Sequence, residues 1–330
     1  MIWTTWRQHR GEAAVAAVVV GLLGAFLLIT GIQMQAAIQA SSQAQVSQAM
    51  QMSDFLQSYS NLGMLTKYVL ALLPALLGMF VGAPMLAREM DQRTHLFAWA
   101  QSITRARWFL YKVTLVSGGT LVGAAVLSVL ASWWNSPLAG MFDAGRWIFF
   151  DAIGVVPLGY ALFALALGVL LGTILGRTIP AMFITVVLFA AVRIGLNLLR
   201  PWYLPPVVKE IAFYQTFPQG ALRVNLHWVD AANHEISADR ISQLLGQLLQ
   251  QGLHDQGVQA IGQPKPPASQ SITLAHHVDQ YMRAHGFHYL AVFQPDDRFW
   301  TFQWIEAGIF FALALILFAF SVWWLQTRLR

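Results

Sequence analysis

The chain has 330 residues, of which 57% are hydrophobic and only 11% charged, with a formal net charge of +5 and no cysteine. Soluble domains carry about a quarter charged residues, so much of this chain must face lipid rather than water. The lack of cysteine excludes disulfides, thiol nucleophiles and thiolate metal sites.

A membrane-spanning helix needs about 20 mostly apolar residues. The first candidate covers residues 13–32 and follows the basic, amphipathic start WRQHR (Trp6 to Arg10). Its apolar run exceeds the roughly 7–15 residues of a signal-peptide core, so a retained anchor is expected. Further spans are predicted at residues 65–86, 109–133, 148–175, 179–199 and 302–325, the last bounded by Phe299, Trp300 and Trp304 and by Trp323 and Trp324. Such aromatics favour the two membrane interfaces. Pro74 and Pro157 fall inside predicted spans, where neighbouring helices tolerate a kink.

Lys and Arg in the short loops set the orientation. Arg7 and Arg10 precede the first span; Arg88, Arg93, Arg105 and Arg107 lie between the second and third; Arg177 lies between the fourth and fifth; Arg328 and Arg330 end the chain. On the other side, residues 33–61 contain no Lys or Arg, and residues 135–147 contain only Arg146. Both termini are therefore expected in the cytoplasm of a multi-pass bacterial plasma-membrane protein. This distribution explains the basic excess without nucleic acid.

Three regions follow: residues 1–199 with five spans, residues 200–301 as an extracytoplasmic domain, and residues 302–330 with the sixth span and tail. The fold class expected is an all-α polytopic membrane protein whose extracytoplasmic domain, between the fifth and sixth spans, is mainly helical. Between Arg200 and Arg298 seven Lys/Arg balance eight Asp/Glu. Residues 237–253 and 272–284 read as helices by apolar spacing, 262–269 as a proline-rich linker, and 288–293 as a short strand. Residues 33–59 read as a weak helix on the outer membrane surface.

No GxxxxGK[ST] run, GxSxG elbow or HExxH helix occurs, so no nucleotide-binding or hydrolytic motif marks the chain as an enzyme. Gly78 with Gly82, and Gly168 with Gly172 and Gly176, form small-residue ridges suited to close helix packing, within the chain or between subunits. Ionisable residues within spans are costly and call for partners. Arg193, Glu306 and Asp151 fall at similar depth, which suggests an Arg193–Glu306 pair with Asp151 as a second acceptor. His276, His277, His285 and His288 gather in the domain, but Gly286 interrupts the helix that a metal pair would need, so no metal site is expected.

The most organised polar stretch is AREMDQRTHLFAWAQSITRARW, residues 87–108. Its acids come first and its bases last, as the helix dipole favours. Leu96, Phe97 and Trp99 add an apolar side, so the stretch reads as a docking element lying along the membrane.

These residues resemble the permease subunits of type-two ABC exporters, in their actinobacterial-like branch. The likeness rests on WRQHR, on GAPMLAREMDQRTHLFAWAQSITRARW (residues 82–108) and on FQPDDRFWTFQWIEAGIF (residues 293–310), and on the order of the spans. It implies a permease that pairs with a second copy or a sister permease and with ABC ATP-binding subunits. ATP and Mg would then reside in that partner, with no cofactor in this chain. Residues 87–108 would form the coupling helix, with Glu89, Asp91, Arg93, Thr94, His95, Phe97, Trp99, Gln101, Thr104 and Arg105 meeting the ATPase. The substrate would be a hydrophobic or amphipathic drug, peptide or lipid. Two other readings are a membrane-anchored sensor or assembly protein presenting its outer domain, and an intramembrane enzyme.

Overall fold

The computed structural model describes residues 2–41, 49–91, 104–140, 142, 144–213, 215, 217–244, 246–247 and 268–327. Two compact units emerge. The first comprises Met1–Phe142, Arg146–Tyr203 and Asp297–Arg330; the second comprises Leu204–Asp296 with Asp143–Gly145.

The first unit is a helical bundle. Its elements are α1 (Ile2–Ser41), α2 (Ala49–Leu77), a π-helical turn (Gly78–Gly82), α3 (Ala83–Asp91), α4 (Arg105–Ala139), α5 (Val156–Leu175), α6 (Thr178–Leu199) and the final helix α9 (Phe299–Thr327). Among the described residues, six stretches are long and apolar enough to cross a membrane: Ala13–Gln39, Ser58–Asp91, Ala106–Ala139, Val156–Leu175, Thr178–Trp202 and Asp296–Thr327. Helices are the natural answer there, because each satisfies its own backbone hydrogen bonds where no water can. Residues 33–59 hold no separate surface helix among the described positions. Instead α1 runs on to Ser41 and α2 begins at Ala49.

Helix α5 is the buried centre of the bundle, packed by α2, the π-turn, α3, α4, α6 and α9. The predicted glycine ridges meet each other here, within one chain. A Cβ on Gly78 would lie 2.5 Å from the Ala164 carbonyl oxygen, and one on Gly82 would lie 2.7 Å from that of Leu165. Gly168 and Gly172 sit equally tightly against Gly78 and Ala83. Gly176 serves differently: at φ +59° it caps α5 in the left-handed conformation and donates to the Gly172 carbonyl at 3.1 Å. The turn into α6 is thus as short as the sequence suggested.

The fourth span begins later than predicted. Residues 145–155 form a 3-10 turn (Gly145–Phe149) followed by turns and bends, so Pro157 stands in the first turn of α5, at the start of the span rather than in its interior. Its missing N–H costs nothing there. The backbone donors left over at that helix start are capped from another helix: Gln303 Oε1 accepts from the N–H groups of Val155 and Val156, both at 3.0 Å, while its Nε2 donates to the Phe150 carbonyl at 2.9 Å. Gln303 is fully buried. Gln303→Leu is expected to destabilise the purified protein by about 1–3 kcal/mol for each group left unpaired, read as a lower thermal midpoint.

The second unit corrects the all-α expectation by adding a sheet beside its helices. Strands β1 (Val207–Glu210), β2 (Leu222–Val229) and β3 (His288–Gln294) form an antiparallel sheet in the order β1-β3-β2. Val207 pairs with Phe293 and Leu222 with Gln294, with an irregularity between Arg223 and Asn225. Two short helices accompany the sheet: α7, over residues 238–247 at its described positions, and α8 (Ala268–Ala284). Ile211, Phe217, Ala221, Ala291 and Phe293 form one core, and Trp228, Leu244, Val278 and Met282 the other. The predicted linker at 262–269 lies mostly outside the described residues, as does the end of the helix predicted over 237–253.

Candidate functional site

Two polar clusters lie at opposite ends of the bundle. The larger forms where the chain leaves the bundle at Tyr203 and returns at Asp297. Its centre is Arg200, in the 3-10 turn Arg200–Trp202 that Pro201 imposes on the end of α6 by removing a helical N–H. From α9 comes Glu306, on the buried stripe Phe299, Phe302, Gln303, Glu306, Ala307, Phe310 that faces α5. This is the i, i+3, i+4, i+7 spacing of a helix with one packed face.

Arg200 grips Glu306 with two donors, Nε to Oε2 and Nη2 to Oε1, each at 2.8 Å. Nη2 also reaches Asp151 Oδ1 at 2.6 Å. The Tyr160 hydroxyl stands 2.5 Å from Glu306 Oε1 and 3.0 Å from Asp151 Oδ1, and the Tyr203 hydroxyl 3.3 Å from Glu306 Oε2. The guanidinium lies over the Phe150 ring, 4.1 Å from its centroid. Glu306 and Arg200 are both buried. Burial alone works to raise the Asp151 pKa, but Arg200 and Arg193 outweigh it and hold the carboxyl below its ordinary value.

The expected Arg193–Glu306 pair does not form. Glu306 takes Arg200, one helical stretch further along. Arg193 instead donates to the Ala71 carbonyl, in the turn before Pro74, stacks over Tyr160 at 4.6 Å and stays 3.7 Å from Asp151 Oδ2. Similar depth predicted the right neighbourhood but could not decide which cation faced inward. The sequence assigns Arg200 to the extracytoplasmic domain, as its first residue. Its place directly after an apolar run, before proline, was the signal available. Tyr160, Tyr203, Gln303 and Lys67 were also missed.

The second cluster joins the helices that flank residues 92–103. Lys112 of α4, buried at 1% exposure, pairs with Glu89 of α3 and lies 4.9 Å from the Trp108 ring centroid. Met85, Leu86, Phe109, Val113, Val169 and Leu325 close around this pair's end of the bundle. Thr104 caps α4, its hydroxyl accepting from the Arg107 N–H at 3.4 Å. Asp91 ends α3, exposed, and Arg105 opens α4. Arg93, Thr94, His95, Phe97, Trp99 and Gln101 lie outside the described residues.

In the second unit, Arg283 ties Asp279 (2.8 Å), Glu210 (2.6 Å) and the Ile211 carbonyl (3.2 Å), and Asp279 accepts from the Phe213 N–H at 2.7 Å. The hydrogen bond from His288 is the largest influence holding Glu210 below the usual carboxylate range, aided by Arg283. The four histidines do not converge: His285 meets the Tyr281 carbonyl and His288 meets Glu210. Among the described residues no three His, Asp or Glu side chains gather as a metal set.

A protein-family model described as ABC-2 membrane transporter related matches residues 16–200, the first five candidate spans up to Arg200. No match was found among curated proteins or among solved structures. The match takes in more than half of the chain, and both the ion cluster around Arg200 and the Glu89–Lys112 pair draw on it. With six apolar helices and that match, this multi-pass membrane protein belongs to the ABC-2 membrane transporter related family and fits its permeases.

Proposed function

We propose that the chain is the permease subunit of an ATP-driven exporter in the bacterial plasma membrane. It couples through residues 87–108 to a separate ATP-binding subunit and pairs with a second permease to enclose the translocation path. ATP hydrolysis and its Mg belong to the partner. The distribution of Lys and Arg supports cytoplasmic termini, with the second unit outside. The substrate is a hydrophobic or amphipathic compound.

The observation that carries this reading is the arrangement around the polar loop between the second and third spans. A short amphipathic segment ending in aromatic and basic residues is held at both ends: α3 and α4 are joined by the part-buried Glu89–Lys112 pair, and Thr104 fixes the helix start. A push on the segment would therefore reach α3, and through the glycine contacts α5, without first slackening the connection.

The test is co-purification of the full chain with its P-loop subunit in mild detergent. Trp99→Ala is expected to weaken that association roughly 30-fold, the effect of removing a central aromatic anchor worth about 2 kcal/mol, and to slow ATP turnover by the complex. Unchanged association and turnover in Trp99→Ala and Glu89→Gln would refute coupling through this segment. Single-cysteine labelling of position 177 in the native cysteine-free chain tests orientation, and labelling from outside would reverse it.

A further inference from the structure

The cluster around Arg200 carries more positive charge than it can neutralise. Arg193 and Arg200 meet two carboxylates, Asp151 and Glu306, and Lys67 stands one helical turn before Ala71, whose carbonyl takes Arg193. Both carboxylates are engaged by Arg200 and Tyr160, and Glu306 also by Tyr203. Lys67 of α2 makes no ion pair among the described residues. Its close contact is with the Tyr68 ring, at 5.7 Å. Arg193 has five N–H donors, and its side-chain hydrogen bond among the described residues goes to a backbone carbonyl. Its side chain remains 16% exposed.

A cation inside a span is stabilised by an opposite charge, and its cost falls most when an oxyanion reaches it directly. The helices that carry these two cations also present bare apolar surface: Leu65 and Leu72 on α2 are each 60% exposed, and Ile194 on α6 is 61% exposed. Partly exposed cations beside hydrocarbon-facing side chains match a molecule with a charged head and an apolar body.

We propose that Lys67 and Arg193 bind the anionic headgroup, phosphate or carboxylate, of an amphipathic molecule. The headgroup supplies the missing negative charge while its chain lies on the apolar faces of α2 and α6. Arg200, Asp151 and Glu306 act as the rigid floor that holds Arg193 in place. Only the further step, that such an amphipath is the transported substrate, rests on the permease reading.

Thermal unfolding of the full chain in uncharged detergent tests this, with phosphatidylglycerol, phosphatidylcholine or inorganic phosphate added. Phosphatidylglycerol is expected to raise the midpoint in a saturable way and phosphatidylcholine to leave it unchanged. Lys67→Gln should weaken the phosphatidylglycerol effect about 10-fold or more, with Lys67→Arg restoring it. Arg193→Gln should act likewise, but Lys67→Gln is the deciding variant because Lys67 makes no hydrogen bond or ion pair among the described residues that its loss would break. An equal shift in the wild type and Lys67→Gln overturns the site. Equal stabilisation by inorganic phosphate overturns the amphipathic ligand. No ATP-binding subunit is present in this measurement, so a failure of the coupling proposal would leave its outcome untouched.

Discussion

Replacing Glu306 with Ala is expected to destabilise the protein by about 3–5 kcal/mol, seen as a sharply lower thermal midpoint and loss of a monodisperse peak in detergent. That is the range for removing one member of a buried ion pair, because the remaining charge stays in a low-dielectric site without its partner. Here the remaining charge is Arg200, which would keep Asp151 at 2.6 Å but lose both 2.8 Å contacts to Glu306. Arg200→Ala should be at least as damaging, since Glu306 and Asp151 would then face each other across Tyr160. The double variant Glu306→Leu with Arg200→Met is expected to be milder than either single change, because it removes both charges and fills the space. If it proves as unstable as the sum of the single changes, the pair is not the organising interaction. Asp151 adds a pH signature. Its lowered pKa contributes stability that is fully present above the ordinary carboxylate value of about 3.9 and is lost as pH falls through the lowered value. The midpoint should hold from neutral pH to about 4 and fall below it, and Asp151→Asn should remove that part of the fall.

The second large effect is expected at Gly168. Substitution to Leu places a side chain where the Gly78 carbonyl oxygen and the Ala83 N–H already sit. These are backbone atoms that cannot rotate away, so α5 and the π-turn must separate along their whole contact. Overpacking a well-fitted core costs about 1–3 kcal/mol even where side chains can adjust, and here the adjustment falls on two helices. Loss of assembled protein from the membrane fraction is the expected outcome. Gly78→Val should do the same. The controls are Gly118, Gly119 and Gly308, where a Cβ would meet nothing within 4 Å. Alanine there should be neutral or stabilising by up to about 1 kcal/mol, the helix preference of alanine over glycine. Equal tolerance at Gly168 and Gly118 would show that the contact of α5 with the π-turn and α3 does not hold the bundle together.

The local regularities of the chain were open to reading. Length and apolarity alone place six spans, because the bilayer fixes both, and the helices found overlap every predicted one. Charge spacing singled out residues 87–108. Strands β1 and β2, which flank β3, were missed despite a visible alternation in β2, where Leu222, Val224, Leu226 and Trp228 recur at every second position. Strand β1 has only four residues, VVKE, and no pattern of that length distinguishes it from a loop until β3 pairs with it.

What escaped reading depended on partners distant in sequence. Pro157 looked like a kink because the start of the fourth helix is set from outside, by Gln303, 147 positions away. The glycine ridges were legible as ridges, but only packing showed that they face one another within one chain. The charges around Arg200 show this most clearly. Composition declared that Arg193, Asp151 and Glu306 needed partners, since burying charge in lipid is costly whatever the fold. Which cation took which carboxylate was a matter of ångströms: α6 turns Arg200 inward at its 3-10 end, within 2.8 Å of Glu306, and leaves Arg193 at 3.7 Å from Asp151. The sequence by itself determined the number of spans, their apolar lengths and the presence of costly charges, because those follow from the solvent the chain must meet. The tertiary structure alone decided the pairing, the helix starts and the sheet, because each depends on side chains brought together from more than one helix or strand.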